Sequence, residues 1–211
     1  MNQTSDLPKP RTQEERKAES ERRIIRAAIE LFAQQGYIRT TMNQVGDLAG
    51  YTGGLVSHRF GNKEGLLRAV IKRVGQRFAE DQLQPVTTQE NAEVAITTYI
   101  DIYLREVVVR ESRMRALYVM MGEALGSVPE IRDEIAQFNS GFRKQISALV
   151  ERGIAQKVFH DNVNPELAAT MIIGLLRGIV MQYLVDHKAL NIETIIPQIQ
   201  EAALGSLRVR K

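Results

Sequence analysis

The sequence predicts an all-α fold of about nine helices, three or four short ones first and longer ones after them. Three observations carry this expectation. Apolar residues recur at helical spacing, as in Ile24, Ala28 and Leu31 with Ile25, Ile29 and Phe32 beside them. Threonine, asparagine or proline stands where most segments begin, and glycine where several stop. No stretch alternates apolar and polar residues as a half-buried strand does. The 211 residues, 44% of them hydrophobic, suffice for a core without covalent staples. The chain has no cysteine, which excludes disulfides, thiolate nucleophiles and cysteine-bound zinc.

Residues 1–18 are expected to form a flexible tail, because Pro8 and Pro10 oppose helix and the nearby charges lack apolar partners. This polar start is not a secretory signal. A first helix is expected over Glu19–Gln35, ended by Gly36, with Tyr37 and Ile38 continuing as an apolar plug. Thr40 or Thr41 caps a short helix to Leu48, and Gly50 breaks it. Thr52 caps the next, to Phe60, and Asn62 caps a fourth that starts at Lys63. Gln84-Pro85 marks a boundary, so the domains are placed at 19–79 and 85–211. Beyond it, helices are expected over 88–109, 112–125, 130–152, 165–186 and 191–208. Pro129, Pro165 and Asn191 fall near their starts, and Gly153 punctuates between two of them.

The stretch from Val45 to Phe60 has the residue types that a helix-turn-helix needs. Two helices that cross closely want a small residue at the contact, here Gly46. Their turn wants a left-handed residue, here Gly50. Val45, Leu48 and Ala49 are expected to face inward, with Tyr51 and Val56 wedging the second helix against the first. The fuller run TTMNQVGDLAGYTGGLVSHRFGNKEGLL, Thr40 to Leu67, preceded by FAQQGY, resembles the DNA-binding signature of the TetR family. The close resemblance covers about residues 20–75; the rest agrees as a run of long helices.

That resemblance implies an N-terminal helix-turn-helix domain and a C-terminal helical domain for ligand binding and dimerisation. It puts the helix after Thr52 in the major groove of operator DNA, with Thr52, Gly53, Gly54 and Leu55 at its leading end. It implies phosphate contacts from Thr40, Thr41, His58 and Lys63, and one hydrogen bond from Ser57. Gly53 stands where many members carry lysine, and Ser57 where many carry tyrosine. The GLVSHRF form is similar to a smaller branch that includes choline-responsive repressors.

Charge agrees with a polyanion-binding head. Residues 1–80 carry 14 Lys and Arg against 9 Asp and Glu, and residues 81–211 carry 14 against 16. The apolar run from Leu167 to Val185 approaches a membrane span in length. Arg177 near its centre is costly in lipid, so a helix at a subunit interface is expected instead. The resemblance implies a homodimer built from the last two helices, through Leu167, Met171, Gly174, Leu175, Gly178, Ile195 and Ile199. It also implies a small-molecule effector pocket among the middle helices. Candidate lining is Tyr99, Tyr103, Met114, Tyr118, Met121, Phe138, Phe142 and Met171. The function so implied is a cytoplasmic transcriptional repressor, bound as a dimer to a palindromic operator and released by its effector. No cofactor, metal or catalytic set is expected, since His58, His160 and His187 form no metal pair and no nucleotide-binding glycine loop occurs. The competing classes are an effector-independent DNA-binding protein and a helical interaction protein.

Overall fold

The computed structural model describes residues 12–82 and 84–208, with backbone alone for 76–82 and 84. Among these residues it has ten α-helices. Four form the head: α1 Gln13–Arg39, α2 Met42–Ala49, α3 Gly53–Phe60 and α4 Lys63–Gln82. The short turn α5, Gln84–Thr87, precedes α6 Ala92–Val109 and α7 Glu111–Leu125. A 3-10 turn at Pro129–Ile131 leads into α8 Arg132–Ala155, followed by α9 Pro165–Val185 and α10 Ile192–Gly205. An isolated antiparallel bridge joins Phe159 and Arg208.

Several boundaries differ from expectation, each for a local reason. Helix α1 starts at Gln13 because Thr12 and Glu15 cap each other. The Thr12 hydroxyl accepts from the Glu15 amide at 3.1 Å, and the Glu15 carboxylate from the Thr12 amide at 2.8 Å. Residues 13–18 are therefore helix, not tail, and the rest of the expected tail, residues 1–11, lies outside the described residues. Helix α6 starts at Ala92, later than residue 88, because Asn91 accepts from the amides of Glu93 and Val94. Helix α8 runs through Gly153, which does not punctuate it. A Cβ there would lie 2.0 Å from the Phe159 ring, so Gly153 serves close packing.

The helices enclose two cores. One gathers Ile100, Leu104, Ile146, Val150, Leu176 and Val180 from α6, α8 and α9, with α10 against them. The other joins Ile24, Phe32, Val45, Val56, Leu67 and Val70 of the first four helices to Ala116, Leu117 and Met120 of α7. Two-turn helices such as α2 and α3 are not stable alone and depend on this packing. The head's core thus crosses the boundary at Gln84-Pro85 and is closed by α7.

Within the head, α2 and α3 cross at Gly46. A Cβ there would stand 2.7 Å from the Gly53 nitrogen and 2.9 Å from the Tyr51 carbonyl oxygen. Gly50 ends α2 at φ 77°, where a side chain is strained. Leu48, expected inside, is 49% exposed, because α2 spends its narrow inner face on Val45, Gly46 and Ala49.

Gly36 breaks α1 at φ 81°. The amides beyond the break donate to the Glu123 carboxylate of α7, 3.0 Å from Tyr37 N and 3.4 Å from Ile38 N. Tyr37 packs edge-on against Phe32, their rings 5.6 Å apart. That contact fills the gap, and Ile38, expected to share it, is left outside and exposed.

Gly46→Ala should destabilise the protein by about 1–3 kcal/mol through overpacking against backbone. The measurement is urea unfolding, with a lowered midpoint and an unchanged m value. Glu123→Ala should cost about 1.5–3 kcal/mol and speed hydrogen exchange at the amides of Tyr37 and Ile38. Unchanged protection at those two amides would refute the role given to Glu123.

Candidate nucleic-acid interface and regulatory core

Threonines start both helices of the reading pair. Thr41 accepts from the Gln44 amide at 3.2 Å, and Gln44 Oε1 accepts in return from the Thr41 amide at 2.8 Å. Thr52 accepts from the Leu55 amide at 3.2 Å. Val56 is buried beneath α3, so its outer side presents Thr52, Gly54, Ser57 and His58 exposed, with Gly53 and Leu55 half-buried. Thr41 is exposed at the neighbouring end of α2.

Thr40 does not join this surface. It is 1% exposed, its hydroxyl donates to the Gly36 carbonyl at 2.8 Å, and it accepts from Gln35 Nε2 at 3.2 Å. Its hydroxyl is spent on the turn between α1 and α2 and is withdrawn from the exposed face on which a phosphate contact was expected.

The glycines of α3 differ from each other. A Cβ on Gly53 would fall 1.9 Å from Asn43 Oδ1 and 3.0 Å from Asn43 Cα. Gly53 therefore allows α3 to settle on α2, a packing role the sequence pattern does not reveal. A Cβ on Gly54 would meet Thr52 Oγ1 at 3.7 Å, an ordinary contact.

Lys63 is half-buried at the start of α4. Its ammonium donates to the Ile38 carbonyl at 2.8 Å and stands 4.4 Å over the Tyr37 ring. Burial draws its pKa down from the usual lysine value, and Glu123 opposes the shift. The ammonium has further protons for an anion. Asn62 accepts from the Gly65 amide at 2.8 Å. One contact went unread in the sequence: Arg23 lies 5.2 Å over the Tyr51 ring, holding the turn to α1.

The expected pocket residues divide. Tyr99, Tyr103, Met114, Tyr118 and Phe142 are buried together in the C-terminal core, and partly buried Phe138 touches both cores. Phe142 meets Phe138 edge-on with centroids 4.8 Å apart. The Tyr118 hydroxyl donates to the Arg177 carbonyl at 3.2 Å, and Arg177 donates to Asn139 Oδ1 at 2.7 Å. Burial pushes the phenols of Tyr99 and Tyr118 far above the usual value. A void of about 10 Å³ bordered by Tyr103, Met114, Phe138 and Phe142 has room for about one water. Met121 and Met171 are not part of the cluster. Met121 packs on the head's core, and Met171 is 66% exposed on the far side of α9.

That far side is an apolar stripe. Leu167, Met171, Met181 and Val185 are 64%, 66%, 47% and 79% exposed, and Gly174 and Gly178 lie between them with open space above. Their spacing alternates four and three residues, which keeps one seam along a helix. Met181 and Val185 were not among the expected interface residues, although the same spacing points to them. Leu175 and Ile195, expected here, are half-buried against the chain's own core. Ile199 is 6% exposed and belongs to that core, because α10 turns its main apolar face to α6.

Residues 24–70 match the family model for bacterial regulatory proteins of the tetR family, and residues 92–207 that for the C-terminal part of BetI-type transcriptional repressors. The chain is 22% identical over 188 residues to the fatty acid metabolism regulator protein of Bacillus subtilis (strain 168), covering 87% of this chain and 93% of that one. The fatty acid degradation regulator FadR from Bacillus halodurans superposes with a TM-score of 0.81 at 20% identity, over 96% of this chain and 100% of that one. A transcriptional regulator from Saccharomonospora viridis in complex with choline gives 0.81 at 19% identity, over 92% and 100%. With its head and its body each matched, in order, the chain belongs to the TetR family of bacterial transcriptional regulators.

Proposed function

We propose that the protein is a repressor that binds a palindromic operator as a homodimer in the cytoplasm and is released by a small-molecule effector. The observation that carries this reading is the capped α2–α3 pair, seated by Gly46 and Gly53, with Thr52, Gly54, Ser57 and His58 outermost on a basic head. In this reading α3 lies in the major groove, where Thr52, Gly54 and Leu55 meet base edges. Gly53 contributes by letting the helix seat. Thr41, Ser57, His58 and Lys63 take phosphates, the last from the start of α4, where helix polarity favours an anion.

Dimerisation is assigned to the α9 stripe. A two-fold pairing buries Leu167, Met171, Met181 and Val185 against their copies, with Gly174 and Gly178 admitting close approach. It would set two reading helices about one DNA turn apart. The effector site is assigned to the aromatic cluster of the body. Its void must enlarge to admit a ligand, by parting Tyr103, Met114, Phe138 and Phe142.

Selection of binding sites from a random duplex library should return a palindrome, and a single half-site would contradict the dimeric reading. Met171→Glu should convert the dimer to monomer in sedimentation and weaken operator binding by roughly tenfold or more. A dimer that persists would exclude this interface. Lys63→Ala should weaken binding to every duplex and reduce the log–log salt slope by about 0.9, one phosphate's worth. The same slope in a variant that melts normally would remove Lys63 from the interface.

A further inference from the structure

Between α1, α4 and the corner from α6 to α7 lies an open cleft of about 500 Å³. That is the size of a small-molecule site, and it stands where head meets body, a common place for one. Five arginines line it, Arg22, Arg26, Arg73, Arg110 and Arg113, against the carboxylates of Glu30 and Glu111. Arg22 pairs with Glu19 at 2.8 Å. Arg110 and Arg113 share the carboxylate of Glu106, which is 4% exposed. Glu111 turns to Arg115 at 2.7 Å and to His187 at 3.4 Å. Among the described residues, Arg26 and Arg73 have no ion pair. Guanidinium groups gathered on one cleft repel one another, and an anion relieves that repulsion.

The remaining wall is apolar. Ile25, Ile29, Val74, Val108 and Val109 line it, and Val108 and Val109 are 52% and 71% exposed. Water-facing valines beside arginines suit a ligand that is apolar at one end and anionic at the other. The cleft is separate from the aromatic cluster, whose void shares with it Val74 and Arg113 as a common wall. No residue of α2 or α3 lines it, so it is also separate from the helix-turn-helix.

We infer that this cleft binds a small amphipathic anion, a phosphate or carboxylate head on a short aliphatic chain. Arg26 and Arg73 hold the head, and Ile25, Ile29, Val108 and Val109 cover the chain. The inference concerns the free protein and stands apart from operator binding.

Isothermal titration of the full-length protein with octyl phosphate, octanoate, octanol and inorganic phosphate tests it. At least one of the two amphiphilic anions should bind once per chain, roughly tenfold or more tighter than octanol or inorganic phosphate. Their relative affinity tells the phosphate head from the carboxylate. Arg26→Ala with Arg73→Ala should weaken that binding by roughly tenfold or more, with unchanged melting. Val109→Asp, at an exposed position, should weaken it with every arginine in place. The proposal falls if neither anion binds, if octanol binds equally well, or if both variants retain wild-type affinity. It also falls if the double arginine variant loses duplex-DNA affinity while amphiphile binding is unchanged, which would assign these arginines to DNA.

Discussion

The contact of α1 with α7 is the constraint on which the reading head depends. Helices α2 and α3 have two turns each; α3 packs on α2 and α4, and α2 on α1, whose inner face is completed by Ala116, Leu117 and Met120 of α7. The polar part of that contact is equally specific. Once Gly36 has interrupted the helix, the amides of Tyr37 and Ile38 need acceptors, and Glu123 of α7 supplies them. Lys63 holds the Ile38 carbonyl from the other side. Thr40 and the α2 cap Thr41 follow directly. The base of the helix-turn-helix is therefore fixed by a side chain of the body, and any shift of α7 must carry the end of α1 with it or break these bonds.

Helix α9 shows how one apolar sequence serves two surfaces. Its inner side, with Ala169, Ile172, Leu176 and Val180, belongs to the chain's own core. Its outer side carries the stripe from Leu167 to Val185. Length and composition alone would let the helix cross a membrane. Arg177 argues otherwise through its partners. One guanidinium nitrogen donates to Asn139 of α8 and its carbonyl accepts from Tyr118 of α7, so neighbouring helices of the chain surround it with polar groups.

The legible features were those whose chemistry is short-range. Gly50 at a left-handed turn, Thr52 and Asn62 as caps, and Gly46 at a crossing can be read from a few neighbours. Features set by partners beyond a cap's reach of three residues were not. Thr40 and Thr41 look equivalent in sequence, but Gly36 and Gln35 claim the first and leave the second to cap α2. Gly53 is explained by Asn43, one helix away. Ile199 and Met171 are both apolar on apolar helices, and only the packing tells which faces the chain's own core. The arginine cleft draws on α1, α4 and the α6–α7 corner, so no single window of sequence contains it.

The polarity of the aromatic cluster follows from the same packing. Burial raises the phenols of Tyr99 and Tyr118 so far that both stay protonated throughout the physiological range. The Tyr103 and Tyr118 hydroxyls lie 3.5 Å apart, and the second donates to the Arg177 carbonyl. Arg177 Nε is buried without a hydrogen-bond partner among the described residues. Whatever parts these rings meets the neutral hydroxyls of Tyr99 and Tyr118 and the guanidinium edge of Arg177. A ligand housed there, as proposed, would be selected by shape, by hydrogen bonding to these hydroxyls and by the Arg177 edge.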